Sequence, residues 1–279
     1  RVTRSSALGD ERASTKPHAG PRGSGQPTAG HVAGHQNLRW PVPGNLAELI
    51  EGSVIHTVDR RAKYLLIGVS SATVAGTLIV HLGMSGSLRV ITDQSEPLLH
   101  DHVELTLDNG IRLRFNDPRR FGCWLWSETP DQHPLIASLG PEPLAPEFNG
   151  RLLYRLSRGK KTPVKSFIMD NHGVVGVGNI YANEALFKAG IHPRRAAGRI
   201  SLDRYNRLVE AIRETLSAAI LMGGTTLRDF VNSDGKPGYF AQSLLVYGRN
   251  GESCRECGHP LKEIRMNQRS TVYCGKCQR

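Results

Sequence analysis

Alternating apolar and polar residues dominate the stretch from about residue 38 to residue 126. Runs rich in β-branched residues predict five strands: Ser53–Val58, Tyr64–Val69, Thr77–His81, His102–Leu107 and Ile111–Phe115. The last two runs alternate strictly on either side of Asp108-Asn109-Gly110, which indicates a hairpin turn. This pattern predicts an antiparallel β-sandwich.

From about residue 150 to residue 230 the apolar residues recur at helical spacing instead. One helix is predicted by the following residues: Leu202, Tyr205, Leu208, Val209, Ile212, Leu216 and Ile220. Gly223-Gly224 would end it. A second helix is predicted from Asn179 to Ala189, directly after the glycine-rich segment 173–178. Its first N–H groups would suit an anion, although a tight turn between helices explains the same glycines.

Four cysteines near the carboxyl end form two C-x2-C pairs, Cys254/Cys257 and Cys274/Cys277, separated by sixteen residues. This spacing is typical of a four-thiolate zinc ribbon with one hairpin between the pairs. A redox-active thiol pair is the alternative. The hairpin carries cationic and amide side chains suited to nucleic acid: Lys262, Arg265, Asn267, Gln268 and Arg269. The fifth cysteine, Cys123, is predicted to be a buried apolar residue.

Composition and charge favour a cytoplasmic protein that binds a polyanion. The 279 residues carry a formal net charge of +11, and no apolar run is long enough to span a bilayer.

Six Lys or Arg fall between residues 151 and 169, and no acidic residue occurs there before position 170. This run predicts a phosphate track, although an exposed basic loop explains it too. Residues 1–37 have no aromatic residue and no periodicity, and we predict that they are disordered.

Beyond these patterns, the chain resembles the bacterial formamidopyrimidine-DNA glycosylases, which remove oxidised purines from DNA and then cut the strand. The motifs are Leu38-Arg-Trp-Pro41, Arg60-Arg-Ala-Lys-Tyr64, His81-Leu-Gly-Met-Ser-Gly86, Asp117-Pro-Arg-Arg-Phe121, Gly176-Val-Gly-Asn-Ile-Tyr181 and Ser233-Asp-Gly-Lys-Pro-Gly-Tyr-Phe240, with the zinc hairpin. They resemble the purine-specific branch more than the sister family that acts on oxidised pyrimidines.

The resemblance implies an α+β multidomain fold with an antiparallel β-sandwich, a helical domain of helix-two-turn-helix type and a terminal zinc ribbon. The corresponding divisions are 1–37, unrelated and disordered; 38–135, an incomplete sandwich; 150–240, helical and DNA-binding; and 245–279, the ribbon. One structural Zn²⁺ is the implied cofactor. Double-stranded DNA with an oxidised purine or an abasic site is the implied partner, with no membrane, for a monomer in the bacterial cytoplasm associated with the nucleoid.

Residue by residue, the resemblance implies two catalytic side chains, Lys63 in the elimination step and Arg269 on the phosphates beside the lesion. Without it, Lys63 would pass for a surface lysine on a strand. Met84, Arg119 and Phe121 match the three residues that fill the gap left by an everted nucleotide. DNA contacts are implied for His100, Arg119, Lys160, Lys165 and Asn179. The loop that closes over the lesion corresponds to Thr225–Phe240 and includes Thr225, Lys236 and Tyr239.

Family members begin with Pro-Glu, whose terminal amine attacks C1′, and an α-amino group suits this role because its ordinary pKa is about 7.7–8.0. Residue 1 here is Arg and residue 2 is Val, while Pro141-Glu142 and Pro146-Glu147 are internal. We therefore expect residues 1–37 to be foreign sequence, and a sandwich without its first strand and helix to be marginally stable with Leu65 and Ile67 exposed.

Three functions follow from these expectations. The first is an active glycosylase that removes 8-oxoguanine and formamidopyrimidines and nicks the strand by β,δ-elimination. The second is a protein that binds damaged or abasic duplex but cannot form the covalent intermediate. The third, a general zinc-ribbon interaction protein, is disfavoured by the motifs around Lys63, Arg119 and Tyr239.

Overall fold

The computed structural model describes residues 27–29, 38–222 and 240–279. No helix within these ranges has the length and apolar character needed to cross a bilayer. The strands are β1 Pro27–Ala29, β2 Ser53–Arg61, β3 Tyr64–Ser70, β4 Ala75–His81, β5 Ser87–Ile91, β6 Asp101–Leu107, β7 Arg112–Asn116, β8 Cys123–Ser127, β9 Lys262–Met266 and β10 Arg269–Tyr273. The helices are α1 Leu46–Ile50, α2 Pro134–Ala137, α3 Gly150–Ser157, α4 Val164–Ile168, α5 Asn179–Lys188 and α6 Leu202–Leu221.

The predicted antiparallel β-sandwich is confirmed. Among the described residues, eight strands join in the order β5-β7-β6-β1-β2-β3-β4-β8. Side chains from both ends of this order, such as Val80, Val103 and Trp124, share one apolar core, so the sheet closes over itself. The Asp108–Gly110 turn is also confirmed, since Ile111 pairs with Leu107 around it and Gly110 has φ +80°.

Strand β1 falls inside the segment 1–37 that was predicted to be disordered. It pairs with β2 on one side and with β6 on the other. Strand β1 therefore joins β5, β7 and β6 to β2, β3, β4 and β8 in one sheet. The rest of that segment lies outside the described residues. The expected exposure of Ile67 is wrong: it is 2% exposed and packs in the core with Leu46 and Ile50 of α1. Leu65 is partly buried against the same core.

The helical region follows a short linker, and α6 confirms the predicted period. Ser201 caps α6, and five of the predicted apolar residues line its buried face: Tyr205, Leu208, Val209, Ile212 and Leu216. Ile220, in the last turn, departs from this pattern and is 65% exposed. The predicted second helix is confirmed as α5, which packs against α6 and against the zinc hairpin strand β10. Gly223-Gly224 lies outside the described residues.

The zinc ribbon packs against the helical region through a separate apolar cluster. Phe187 of α5 meets Val246, Leu261 and Val272 there. The hairpin of β9 and β10 is therefore oriented by the same helix whose first residues follow the glycine-rich segment 173–178. Helix α5 therefore brings the glycine-rich segment 173–178 close to the zinc hairpin.

Candidate nucleic-acid site and zinc ribbon

The four cysteines of the two pairs converge on one point. Their Sγ atoms all lie within 4.8 Å of one another, with 3.5 Å between Cys257 and Cys274 and 4.0 Å between Cys254 and Cys277. Zn–S bonds of about 2.3 Å in a tetrahedron separate the sulfurs by roughly 3.8 Å, so the set fits one zinc ion. All four thiols are free rather than paired as disulfides. Cys123 is free and buried, as predicted.

The zinc hairpin carries Arg269 at its tip. Asn267 and Gln268 form the two-residue turn with φ of +48° and +60°, the left-handed pair that matches the twist of the flanking strands. Arg269 is the first residue of β10, pairs with Met266 and is exposed. A cavity of 230 Å³ lies beside it, bordered by Ser166, Asp170 and Asn267 among others. The arginine is thus held on a short, regular tip next to a concave surface.

Lys165 lies beneath the hairpin and also borders the cavity beside Arg269. It is only 2% exposed, and its Nζ donates to the carbonyl of Ser270 at 3.0 Å and to Oγ1 of Thr271 at 2.7 Å. Burial, and then the charge of Arg269, lowers the pKa of Lys165 to about 8. The DNA contact that the resemblance implies for Lys165 stays a prediction. In this structure its Nζ links α4 to the hairpin.

Helix α5 holds the hairpin from a second direction. Asn179 donates from Nδ2 to the Ser270 carbonyl at 3.1 Å, and its Oδ1 is buried with no hydrogen-bond partner among the described residues. Asn183 accepts from the N–H of Val272 at 2.8 Å. Glu184, which is 2% exposed, accepts from three successive N–H groups at residues 245–247. Sequence reasoning missed Asn183 and Glu184, because nothing in their local pattern separates them from ordinary polar helix residues.

Lys63 stands in the turn between β2 and β3, facing the start of α5. Ala62 before it has φ +54°, and the Lys63 Nζ lies 3.5 Å from the position that a Cβ on Gly178 would occupy. The residue as a whole is exposed, while its Nζ lies against the glycine-rich segment. This partial desolvation, followed by the charge of Arg269, lowers the pKa of Lys63 below its ordinary value. The structure therefore places the predicted catalytic lysine, the glycine-rich segment and the hairpin arginine around one cleft.

The two arginines before Lys63 are bound by a carboxylate. Both Arg60 and Arg61 donate to Glu142 in the linker to the helical region. Glu142 accepts from Arg60 and from Arg61 at 3.0 Å each, and from the N–H of Ala62 at 2.6 Å. Arg61 also donates to the carbonyls of residues 139 and 140. The pair therefore clamps the Lys63 turn to the linker.

His81 is a member of the cleft that sequence reasoning did not single out. Its ring lies 4.9 Å from that of Tyr64, and its Nδ1 accepts from the N–H of Gly83 at 2.9 Å. Partial burial, then the charges of Lys63 and Arg39, lowers the pKa of His81, while Asp117 opposes the shift. A neutral ring with Nδ1 as acceptor leaves Nε2–H as a donor. Its position in the motif His81–Gly86 was the available signal.

Met84, Arg119 and Phe121 project together from two loops of the sandwich. Met84 is 71% exposed and Phe121 41% exposed, although both side chains are large and apolar. The Arg119 guanidinium lies over the Phe121 ring at 4.8 Å from its centre. We call these three residues the wedge. The structure thus brings together the three residues that the resemblance associated with gap filling.

The predicted phosphate track is divided. Lys160 is exposed, with its Nζ 6.0 Å from the centre of the Phe167 ring. Arg158 stacks on Tyr154 and donates to the carbonyl of Ile200. His100 is half-buried beside the wedge loops, where its carbonyl accepts from the Asp117 N–H. The lesion-loop residues Thr225, Lys236 and Tyr239 lie outside the described residues.

The fold and the cleft define a zinc-ribbon protein in which cationic side chains from a β-sandwich, a helical region and a hairpin face one another. Three family models match successive parts of the chain: the formamidopyrimidine-DNA glycosylase N-terminal domain at 23–124, the H2TH domain of the same enzymes at 139–231, and the zinc finger found in FPG and IleRS at 251–279. The chain belongs to the formamidopyrimidine-DNA glycosylase family. The first match begins at residue 23, earlier than the boundary near residue 37 that the sequence predicted.

Individual relatives agree over nearly the whole chain. The formamidopyrimidine-DNA glycosylase of Marinobacter nauticus is 69% identical over 265 residues, covering 95% of this chain and 97% of the relative. A crystal structure of the MutM (Fpg) protein from Thermus thermophilus has a TM-score of 0.79 at 37% identity, with 91% of this chain and 92% of the other covered. The Lactococcus lactis Fpg in complex with abasic-site DNA has a TM-score of 0.82 at 29% identity, with 91% and 93% covered.

Proposed function

We propose that this protein is a base-excision repair glycosylase that removes oxidised purines from double-stranded DNA and then cuts the strand at the abasic site. The observation that carries the proposal is the cleft itself, where Lys63, Gly178 and Arg269 converge from three separate parts of the chain. Relatives with the same fold include complexes of the Lactococcus lactis enzyme with abasic-site DNA and with Fapy-dG DNA. Repair of damaged purines is the activity that this combination of cleft and family supports best.

The arrangement suits extrusion of one nucleotide from the duplex. The wedge would replace the stacking and pairing that are lost when the damaged nucleotide leaves the helix. Arg269 would hold the backbone phosphates beside the lesion by charge-assisted hydrogen bonds. Exposed cations such as Lys160 would add contacts to the phosphates, and His100 and Asn179 lie at the edges of the same region. The closing loop would contribute Thr225, Lys236 and Tyr239.

Strand cleavage requires proton transfer after an amine has displaced the base. A neutral amine attacks C1′, the C1′–N bond breaks, and the base leaves with a proton. The C1′–O4′ bond then breaks, with a proton going to O4′, and the open sugar is left as an iminium. This iminium acidifies C2′, and loss of the C2′ proton permits elimination of the 3′ phosphate. Lys63 is the proposed side chain for proton transfer in the elimination. Its lowered pKa increases the fraction that is unprotonated near neutral pH.

The zinc ion would be structural. Four thiolates leave it no open position for a substrate, so its role would be to hold the ribbon together.

We further propose that the protein works as a monomer in the bacterial cytoplasm in association with the nucleoid. The domain division 38–135, 150–240 and 245–279 would then correspond to the sandwich, the helical DNA-binding unit and the ribbon.

The proposal can be tested by trapping the covalent intermediate. The purified full chain would be incubated with a duplex containing 8-oxoguanine in the presence of borohydride, and the crosslinked peptide identified by mass spectrometry. We expect release of the oxidised base and a crosslink to one identifiable amine, with slower strand cleavage in Lys63→Met. Tight binding to an abasic duplex without any crosslink or base release would contradict the proposal and support a protein that only binds damaged DNA.

A further inference from the structure

Asp117 is a fully buried carboxylate between the two loops that carry the wedge. It is 0% exposed. Its Oδ1 accepts from the hydroxyl of Ser85 at 2.8 Å and from the N–H of Arg119 at 3.3 Å, and its Oδ2 accepts from the N–H of Gly122 at 2.8 Å. One carboxylate therefore binds a residue next to Met84 on the first loop and residues on both sides of Phe121 on the second.

The main chain of Asp117 is anchored as firmly as its side chain. Its N–H donates to the carbonyl of His100 at 2.9 Å. Its own carbonyl accepts from Nε2 of the buried His102 at 2.9 Å and from the N–H of Arg120 at 3.2 Å. These bonds tie the residue to the start of β6. The carboxylate consequently has a fixed position in the sandwich from which it can hold both loops.

The two loops also touch through glycines, which leaves little freedom to slide. A Cβ on Gly83, where φ is +70°, would lie 2.7 Å from the N atom of Gly122. A Cβ on Gly122 would lie 2.7 Å from the carbonyl oxygen of His81. Both distances are shorter than real Cβ contacts allow. The loops therefore pack backbone against backbone, and the carboxylate fastens that contact.

No ion pair with Lys or Arg engages Asp117 within the ranges that the structure describes. A buried carboxylate needs hydrogen bonds to offset the cost of its desolvation. Here neutral donors surround the charge, and they come from the two wedge loops. The hydrogen bonds of the carboxylate therefore fix the positions of the two wedge loops relative to each other.

We propose that Asp117 is the positioning residue of the wedge: it holds Met84, Arg119 and Phe121 in one preformed arrangement so that they enter the duplex together. Ordering three exposed side chains on two independent loops at the moment of insertion would cost conformational entropy, and the carboxylate removes that cost beforehand. The inference rests on the proposed function, because a wedge matters only to a protein that extrudes a nucleotide.

The direct test is the rate of insertion. A duplex with 2-aminopurine beside 8-oxoguanine brightens when stacking is lost, and stopped-flow fluorescence follows that step before any chemistry. Asp117→Ala is expected to slow it by about tenfold or more, the effect of losing a hydrogen bond to a charged group. The matched control is Glu104→Ala. It removes the partner of the buried Arg114 in the same sandwich, bonded through Nε at 2.5 Å, and should lower thermal stability without slowing insertion.

A double-mutant cycle separates positioning from general destabilisation. In a Met84→Ala, Phe121→Ala background there is little left to position, so adding Asp117→Ala should cost much less than it does in the wild type. Equal costs in both backgrounds would overturn the inference. If Asp117→Ala does not fold, Asp117→Asn and Ser85→Ala each weaken only part of the bonding. Unchanged insertion in both of these folded variants would likewise overturn it.

Failure of this inference is distinguishable from failure of the proposed function. A wild-type chain that neither brightens the probe nor releases 8-oxoguanine would contradict the proposed function itself. A wild-type chain that does both, with Asp117→Ala inserting at the wild-type rate, would contradict only the role given to Asp117.

Discussion

Two exposed arginines, Arg119 and Arg269, border the cleft, and different kinds of contact hold them in place. Arg269 lies on the zinc hairpin, which is fixed by the metal ligands, by Lys165 from α4 and by Asn179 and Asn183 from α5. Arg119 lies on a sandwich loop whose side-chain anchor is the carboxylate of Asp117. Several side chains from two helices thus hold the hairpin, whereas the two wedge loops share one buried carboxylate and their own backbone contact.

This difference also extends to electrostatics. The charge of Arg269 contributes to the lowered pKa of both Lys63 and Lys165, so the hairpin tip affects two amines in the cleft. The guanidinium of Arg119 faces the ring of Phe121 instead. We infer that the hairpin arginine sets the charge of the cleft, whereas the wedge arginine sets the shape that enters the DNA stack.

Of the changes considered, loss of zinc should have the largest effect, and it should affect the hairpin rather than the wedge. Structural zinc binding contributes about 10–16 kcal/mol in small zinc domains, so chelation or Cys257→Ser should unfold the ribbon and abolish tight binding to an abasic duplex. The wedge loops in the sandwich should remain intact. Zinc content, circular dichroism and affinity would be measured together. Cys123→Ala is the matched control, because this buried thiol lies outside the cluster and should leave the zinc content unchanged.

Lys165 should produce the next largest effect, and it depends on pH. Its pKa is lowered from 10.5 to about 8 in the folded chain, so between those values the unfolded chain binds more protons and stability rises with pH. The wild type should gain up to about 3 kcal/mol across this window from this residue, and Lys165→Met should lack that gain. Denaturant unfolding of both proteins at pH 7 and pH 10 measures the difference. Parallel pH dependences would show that Lys165 does not titrate with a lowered pKa in the folded chain.

Removing the hairpin charge should have a smaller, more local effect. In Arg269→Ala one cause of the lowered pKa of Lys63 disappears, so its pKa should rise toward the ordinary lysine value while the effect of burial remains. The pH limb of strand cleavage at an abasic site should move to higher pH accordingly. NMR titration of the Lys63 side chain measures the shift directly. Arg265→Ala, an exposed arginine on β9 of the same hairpin, should leave the Lys63 titration unchanged.

Local patterns were enough to predict much of this architecture. Strict alternation and the Asp-Asn-Gly turn predicted β6 and β7, and helical spacing predicted α6 nearly to its ends. The C-x2-C pairs predicted the zinc cluster from spacing alone. Strands β5 and β8 were missed, because Ser87–Ile91 is short and Cys123–Ser127 is an apolar run without alternation.

Long-range polar contacts could not be predicted in the same way. Glu142 lies eighty or more residues from the arginines that it binds, and Glu184 accepts from N–H groups about sixty residues away. Their local sequences give no sign of those partners. Lys165 shows the same difficulty: a lysine in a basic run suggests a phosphate contact, and only tertiary packing reveals that the hairpin binds its ammonium group. Burial and partner identity are properties of the assembled fold.

We expect Arg119 and Arg269 to act differently on the same DNA. The most direct measurement is the affinity of wild type, Arg119→Ala and Arg269→Ala for an abasic-analogue duplex and for the undamaged duplex, over a range of salt concentrations. Arg119→Ala should lose preference for the abasic duplex with an unchanged salt dependence, and Arg269→Ala should reduce the salt slope by about one phosphate contact. Identical losses of preference and of salt slope in the two variants would show that the two arginines act in the same way.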